Sequence, residues 1–232
     1  MIDRTVPMPG ARLAGLLYLG TIAGGIFAEV VVRGSLIVRG DATATAAAII
    51  GQQAFFRTSM LGDLAMLACY VGVTTLFYDL FATVSRRVSL MAAAFSVTGI
   101  AILASAAFFT LAALHMLAAP PFLAAAIDAS QREAMALFFL KLHGDGYVLS
   151  LVFFGIYCLM IGWLAWRSDF LPRIVGALML LAGGCYLLKS VADLAAPTLA
   201  AALPSSVMIP TLVGEAALAL WLLAFGGHRR RA

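Results

Sequence analysis

Charge is scarce in this sequence. Of its 232 residues only 11% are Asp, Glu, Lys or Arg, while 63% are hydrophobic, and the mean hydropathy is +1.03. Soluble domains carry about a quarter charged residues and under about half apolar ones. A water-soluble fold of this length has no interior large enough for so much apolar surface, so lipid must cover the remainder. Cysteine is also sparse. Cys69, Cys158 and Cys185 lie inside apolar runs, lack C-x-x-C spacing and are odd in number, so they read as small buried hydrophobes rather than a disulfide or thiolate framework. Phosphate-binding glycine loops, nucleophile elbows and H-E-x-x-H are absent as well, and no catalytic or cofactor class follows from motif.

What is present is a series of long runs that are apolar on every face. A membrane barrel would alternate apolar and polar residues, and these runs do not, so the expected class is an all-α polytopic bundle. Spans fall at about 12–32, 55–78, 91–117, 145–166, 173–194 and 207–227, six in one transmembrane domain covering 1–232, by the rule of about 20 apolar residues per crossing. The first is longer than a signal-peptide core. Ile26 also stands where cleavage after Ala28 would need a small residue, so the span is expected to be retained.

The formal net charge of +4 raises the question of a nucleic-acid partner, but the basic residues are dispersed at span ends and serve orientation instead. With both termini cytoplasmic, Arg4, Arg12, Arg86, Arg87, Arg167, Arg173, Arg229, Arg230 and Arg231 face inward, nine of the fifteen basic residues. The short Arg86–Arg87 and Arg167–Arg173 turns carry the decisive signal. Two external connections are longer. Asp41 is placed to cap a short alanine-rich helix, and Ser130–Glu133 forms a capping-box pattern. Gly144 and Gly146 predict a break or bend at the entry to span four. Gly20 and Gly24 form a G-x-x-x-G, read as close helix packing within the bundle.

Depth places the ionisable residues at one level. Glu29 and Arg33 fall in the outer turns of span one and Asp63 in the outer half of span two. His115 falls near the outer end of span three. Lys141, His143, Asp145 and Tyr147 mark the entry to span four, Lys189 and Asp193 the outer end of span five, and Glu215 the middle of span six. Glu29/Arg33, Lys141/Asp145, His143/Tyr147 and Lys189/Asp193 are i,i+4 pairs sharing a helix face. Asp63 and Glu215 have no such partner, so each needs a cation or donor from another helix or must carry a proton, with Arg33 and Arg57 as the reservoir.

Three readings of this level stay open: ion pairs that fix helix register, an outward-facing cavity that binds or processes a ligand, and a translocation path. The candidate ligand-binding set is Glu29, Arg33, Asp63, His143, Tyr147, Lys189, Asp193 and Glu215. In the cavity reading Arg33 and Lys189 hold an anionic headgroup, His143 or Glu215 acts as acid or base, and Glu215, His143 and Glu29/Arg33 share one water-accessible pocket. A lipid-like or anionic small molecule suits a cavity touching both water and acyl chains. No metal is assigned, and cofactor and protein partners stay undetermined. A polar-poor inner half weakens the translocation reading.

Residues 11–46, 142–188 and 213–223 resemble the bacterial membrane-protein family catalogued as domain of unknown function 4386. Its most specific features here are Glu29-x-x-x-Arg33, Arg39-Gly40-Asp41, Leu142-His143-x-x-Gly146-Tyr147, Leu171-Pro172-Arg173 and Glu215. The resemblance implies a multi-pass protein of the bacterial cytoplasmic membrane and brings no catalytic role with it.

Overall fold

The structure is a computed structural model that describes residues 5–6, 10–226 and 229–230. Helix dominates, as expected of chain that must satisfy its backbone without water. Helix α1 (Ala11–Leu36) passes through a π-helical segment, Ile26–Arg33. A short α2 (Ala42–Gly51) precedes α3 (Gln53–Ala118), a 66-residue helix. Then come α4 (Pro121–Ala126), α5 (Ala129–Arg167), α6 (Arg173–Ala195), α7 (Pro197–Ala202) and α8 (Ile209–Phe225). Among the described residues five helices are long and apolar enough to cross a membrane. The longest, α3, leaves helical geometry at Ser85 (φ −156°, ψ 105°). Each side of that break is long enough for one crossing, which makes six. The expected Arg86–Arg87 turn is therefore a single extended residue followed at once by helix.

Thr5–Val6 pairs antiparallel with Arg229–Arg230. The two ends of the described chain thus lie together, as an even number of crossings requires. Arg4 and Arg231, part of the orientation signal, lie outside the described residues.

Two details of the long connections differ in outcome. Asp41 caps α2 as expected, its Oδ1 accepting from the Ala44 N–H at 2.8 Å. The cap of α5 is Asp128 rather than Ser130. Asp128 Oδ1 accepts from the Gln131 N–H and from the Ser130 hydroxyl, both at 2.8 Å, which sets a carboxylate at the positive end of the helix. These bonds hold the Asp128 carboxyl below its usual range. Glu133 accepts from Thr43 at 2.8 Å, linking α5 to α2. Helix α5 also runs unbroken through Gly144 and Gly146.

The chain divides into two compact units, 1–22 with 68–101 and 148–232, and 23–67 with 102–147. In the first, Thr74 Oγ1 and Ser96 Oγ lie 2.6 Å apart and join the two halves of α3 beyond Ser85. Its core includes Tyr18, Phe77, Phe81, Tyr157, Ile161, Met179 and Leu218, all fully buried. The core of the second is Val32, Leu36, Ile49, Phe56, Leu114 and Leu140 with their neighbours.

Candidate functional site

The second unit gathers four of the expected residues into one hydrogen-bonded group. Arg33 and Glu29 sit on the π-helical segment, whose Gly34 N–H bonds back to the Glu29 carbonyl. Runs of π-helix are rare and concentrate at functional positions. Helix α1 approaches α3 closely here. A Cβ on Gly24 would stand 3.1 Å from the Gly62 carbonyl, and one on Gly62 would stand 3.1 Å from the Phe27 ring. That approach puts Asp63, the next residue, opposite Arg33. Arg33 Nη1 donates to Asp63 Oδ2 at 2.8 Å, Nη2 donates to Oδ1 at 2.7 Å, and Nη2 also donates to Glu29 Oε1 at 2.7 Å. The forked geometry is the strong form of this interaction. Arg33 and Asp63 are buried, while the Glu29 side chain keeps 29% exposure.

His143 completes the group from α5. Its Nε2 donates to Glu29 Oε1 at 3.0 Å, and its Nδ1 lies 3.1 Å from the Ala106 carbonyl and 3.2 Å from Thr110 Oγ1. Gly146 is what lets α5 come this near, since a Cβ there would stand 2.7 Å from the Ala106 Cβ. A carbonyl and a carboxylate only accept. With both ring nitrogens donating, His143 is an imidazolium and the four side chains sum to zero charge. With Thr110 donating to Nδ1 the ring is neutral and the sum is −1. The group is never positive in either state.

Asp63 has a second setting. It lines a cleft of about 170 Å³ with Met60, Leu64, Ala104, Ala107, Phe108 and Leu111. The cleft runs between the two halves of α3 and is walled almost wholly by carbon. Leu64 and Phe108 at its edge are 62% and 71% exposed, so it opens sideways onto the surface of the helices.

The remaining candidates lie elsewhere. Lys141 and Asp145 pair at 3.1 Å but stand exposed, two residues to either side of His143 on α5. Tyr147, in the second unit, is partly buried. Lys189 and Asp193 pair with each other on α6, in the first unit. Glu215 is also in the first unit, where the Cys158 thiol donates to its Oε1 at 3.7 Å. Asp63 thus found its arginine, whereas the Glu215 carboxylate takes neutral donors. The candidate set divides between the units: Glu29, Arg33, Asp63, His143 and Tyr147 in one, and Lys189, Asp193 and Glu215 in the other. Sequence reasoning passed over Thr110 and the Ala106 carbonyl, which carry no signal in an apolar run. It also passed over the tyrosines around Glu215, whose mid-span positions were a legible signal. Among the described residues no group of three His, Cys, Asp or Glu is placed to hold a metal ion.

Six apolar crossings with an ion-paired group inside them define a multi-pass helical membrane protein whose environment is the lipid bilayer. The chain belongs to the family described as domain of unknown function 4386, whose model matches residues 13–226. No curated protein and no solved structure matches it.

Proposed function

We propose that the protein binds a lipid-like amphiphile, with the apolar part in the cleft between the halves of α3 and the polar head at Asp63 and Arg33, in a bacterial cytoplasmic membrane. The observation that carries this reading is the double membership of Asp63, in the buried charged group and in the wall of an apolar cleft edged by the exposed Leu64 and Phe108. An acyl or isoprenoid chain in that cleft leaves lipid for a surface of equal polarity, so selectivity falls to the head. Two carboxylates already engage the one guanidinium, so an anionic head meets a group of zero or negative charge. That balance favours the lipid-like over the anionic form of the ligand. The head best matched is a hydroxyl, which donates to a carboxylate and accepts from the buried Arg33 Nε, a donor with no partner among the described residues.

The test compares lipid that stays with the purified protein. Wild type and Ala107→Trp, which fills the cleft, are extracted in detergent, washed and analysed by mass spectrometry. The reading expects a lipid species enriched over the bulk membrane in wild type and lost in Ala107→Trp at equal thermal stability. A wild-type lipid profile equal to the bulk membrane would return the charged group to a purely structural role.

A further inference from the structure

Glu215 poses a separate problem, in the first unit. It is buried on α8, and among the described residues no lysine, arginine or histidine pairs with it. Its neighbours are neutral donors from four other stretches of chain. They are Tyr18 on α1, Tyr70 on α3, Tyr157 and Cys158 on α5, and Tyr186 on α6. Beyond these, no titratable group among the described residues bears on it. Tyr186 and Cys158 hydrogen-bond to the carboxylate. The Tyr18 hydroxyl also bears on the carboxylate and on the Cys158 sulfur, while the Tyr157 hydroxyl is fully buried and, among the described residues, reaches no hydrogen-bond partner. The Tyr18 and Tyr70 rings are 6.3 Å apart, and those of Tyr70 and Tyr157 are 6.0 Å apart.

A buried charge without a counter-charge is among the costliest features a membrane helix can carry. Helix packing gives no reason for it, because Gln has nearly the same volume. The buried Tyr157 hydroxyl without a partner adds to that cost. A single positive charge relieves the first cost, and one that takes oxygen ligands relieves the second as well. A divalent ion would leave one charge uncompensated beside a lone carboxylate, and hard oxygens suit small hard cations.

We propose that Glu215, with the hydroxyls of Tyr18, Tyr157 and Tyr186, binds one small monovalent cation, a proton or an alkali-metal ion. The site is separate from the amphiphile reading and stands or falls on its own residues.

Thermal unfolding of the full chain in detergent tests it by linkage, since a ligand bound only by the folded state raises the midpoint as its concentration rises. Wild type and Glu215→Gln are titrated with NaCl against choline chloride at constant ionic strength, and separately with pH. A rise with sodium in wild type that Glu215→Gln lacks identifies an alkali ion. A rise toward acid that Glu215→Gln lacks, with no sodium effect, identifies a proton. Identical responses of the two proteins to both titrations overturn the proposal. Should Glu215→Gln fail to fold, Tyr18→Phe/Tyr157→Phe keeps the acid and removes two oxygens. Its half-saturating cation concentration should then shift by about tenfold, and an unshifted value overturns the proposal equally.

Discussion

Arg33 and Asp63, 30 residues apart in sequence, meet fork to fork at 2.7 and 2.8 Å across the contact of α1 with α3. The pair is buried, so its two halves are unequal to remove. Arg33→Met strands the carboxylates of both Asp63 and Glu29 and should cost about 3–5 kcal/mol. Arg33→Met/Asp63→Leu removes the stranded charge at that contact and should recover most of the loss. Thermal unfolding in detergent measures both, and a double variant as unstable as the single one would contradict the pairing.

Gly146 sets the distance between α5 and the second half of α3. With only 2.7 Å available to a new Cβ, Gly146→Val must push the helices apart. Overpacking of this kind costs about 1–3 kcal/mol, and here it should also part His143 from the Ala106 carbonyl. The imidazole resonances of isotopically labelled protein should shift in Gly146→Val and stay in place in Gly144→Ala, where the same addition meets nothing within 4 Å.

Much of the fold was legible because lipid imposes a simple rule on sequence. Apolar runs long enough to span gave the helical class. Asp41 declared the start of α2 through its side-chain chemistry. The start of α5 misled because Asp128 and Ser130 both qualify as caps, and only the backbone shows which one meets the free N–H groups. Gly144 and Gly146 suggested a break because glycine is permissive. Tertiary contact with Ala106 uses the missing side chain of Gly146 for proximity instead. The ionic group was half legible. Glu29/Arg33 follows from i,i+4 spacing, but the choice of Asp63 and His143 as partners depends on contacts between residues 30 and 114 positions apart, and no local pattern encodes those.

The Asp128 cap supplies a pH dependence outside the membrane. Its carboxyl is held below the usual range by the Gln131 N–H and the Ser130 hydroxyl, so the folded form is favoured whenever this group is ionised. That contribution is present above the ordinary carboxyl range and is lost as pH falls through the lowered folded value. Amide exchange in the first turn of α5, corrected for its intrinsic pH dependence, should accelerate on acidification. In Asp128→Ala it should be fast at every pH. Equal protection in the two proteins at neutral pH would remove Asp128 as the cap.

The arginines that follow Ser85 and those that bound the α5–α6 turn predict the orientation. Reporter fusions after Arg87 and Arg173 should read cytoplasmic, and fusions at Asp41 and Asp128 should read external. An external signal at Arg87 would invert the assignment of sides while leaving the helices unchanged.

The claim that an amphiphile occupies the cleft beside Asp63 is tested most directly by covalent capture. Membranes holding the protein are incubated with a long-chain alcohol bearing a photoactivatable diazirine in its tail, irradiated and digested, and the labelled peptides are sequenced. The predicted result is label concentrated on residues 60–64 and 104–111, reduced by excess unlabelled alcohol and by Ala107→Trp. Label spread evenly over the exposed residues of all six crossings, with no competition by unlabelled alcohol, would contradict it.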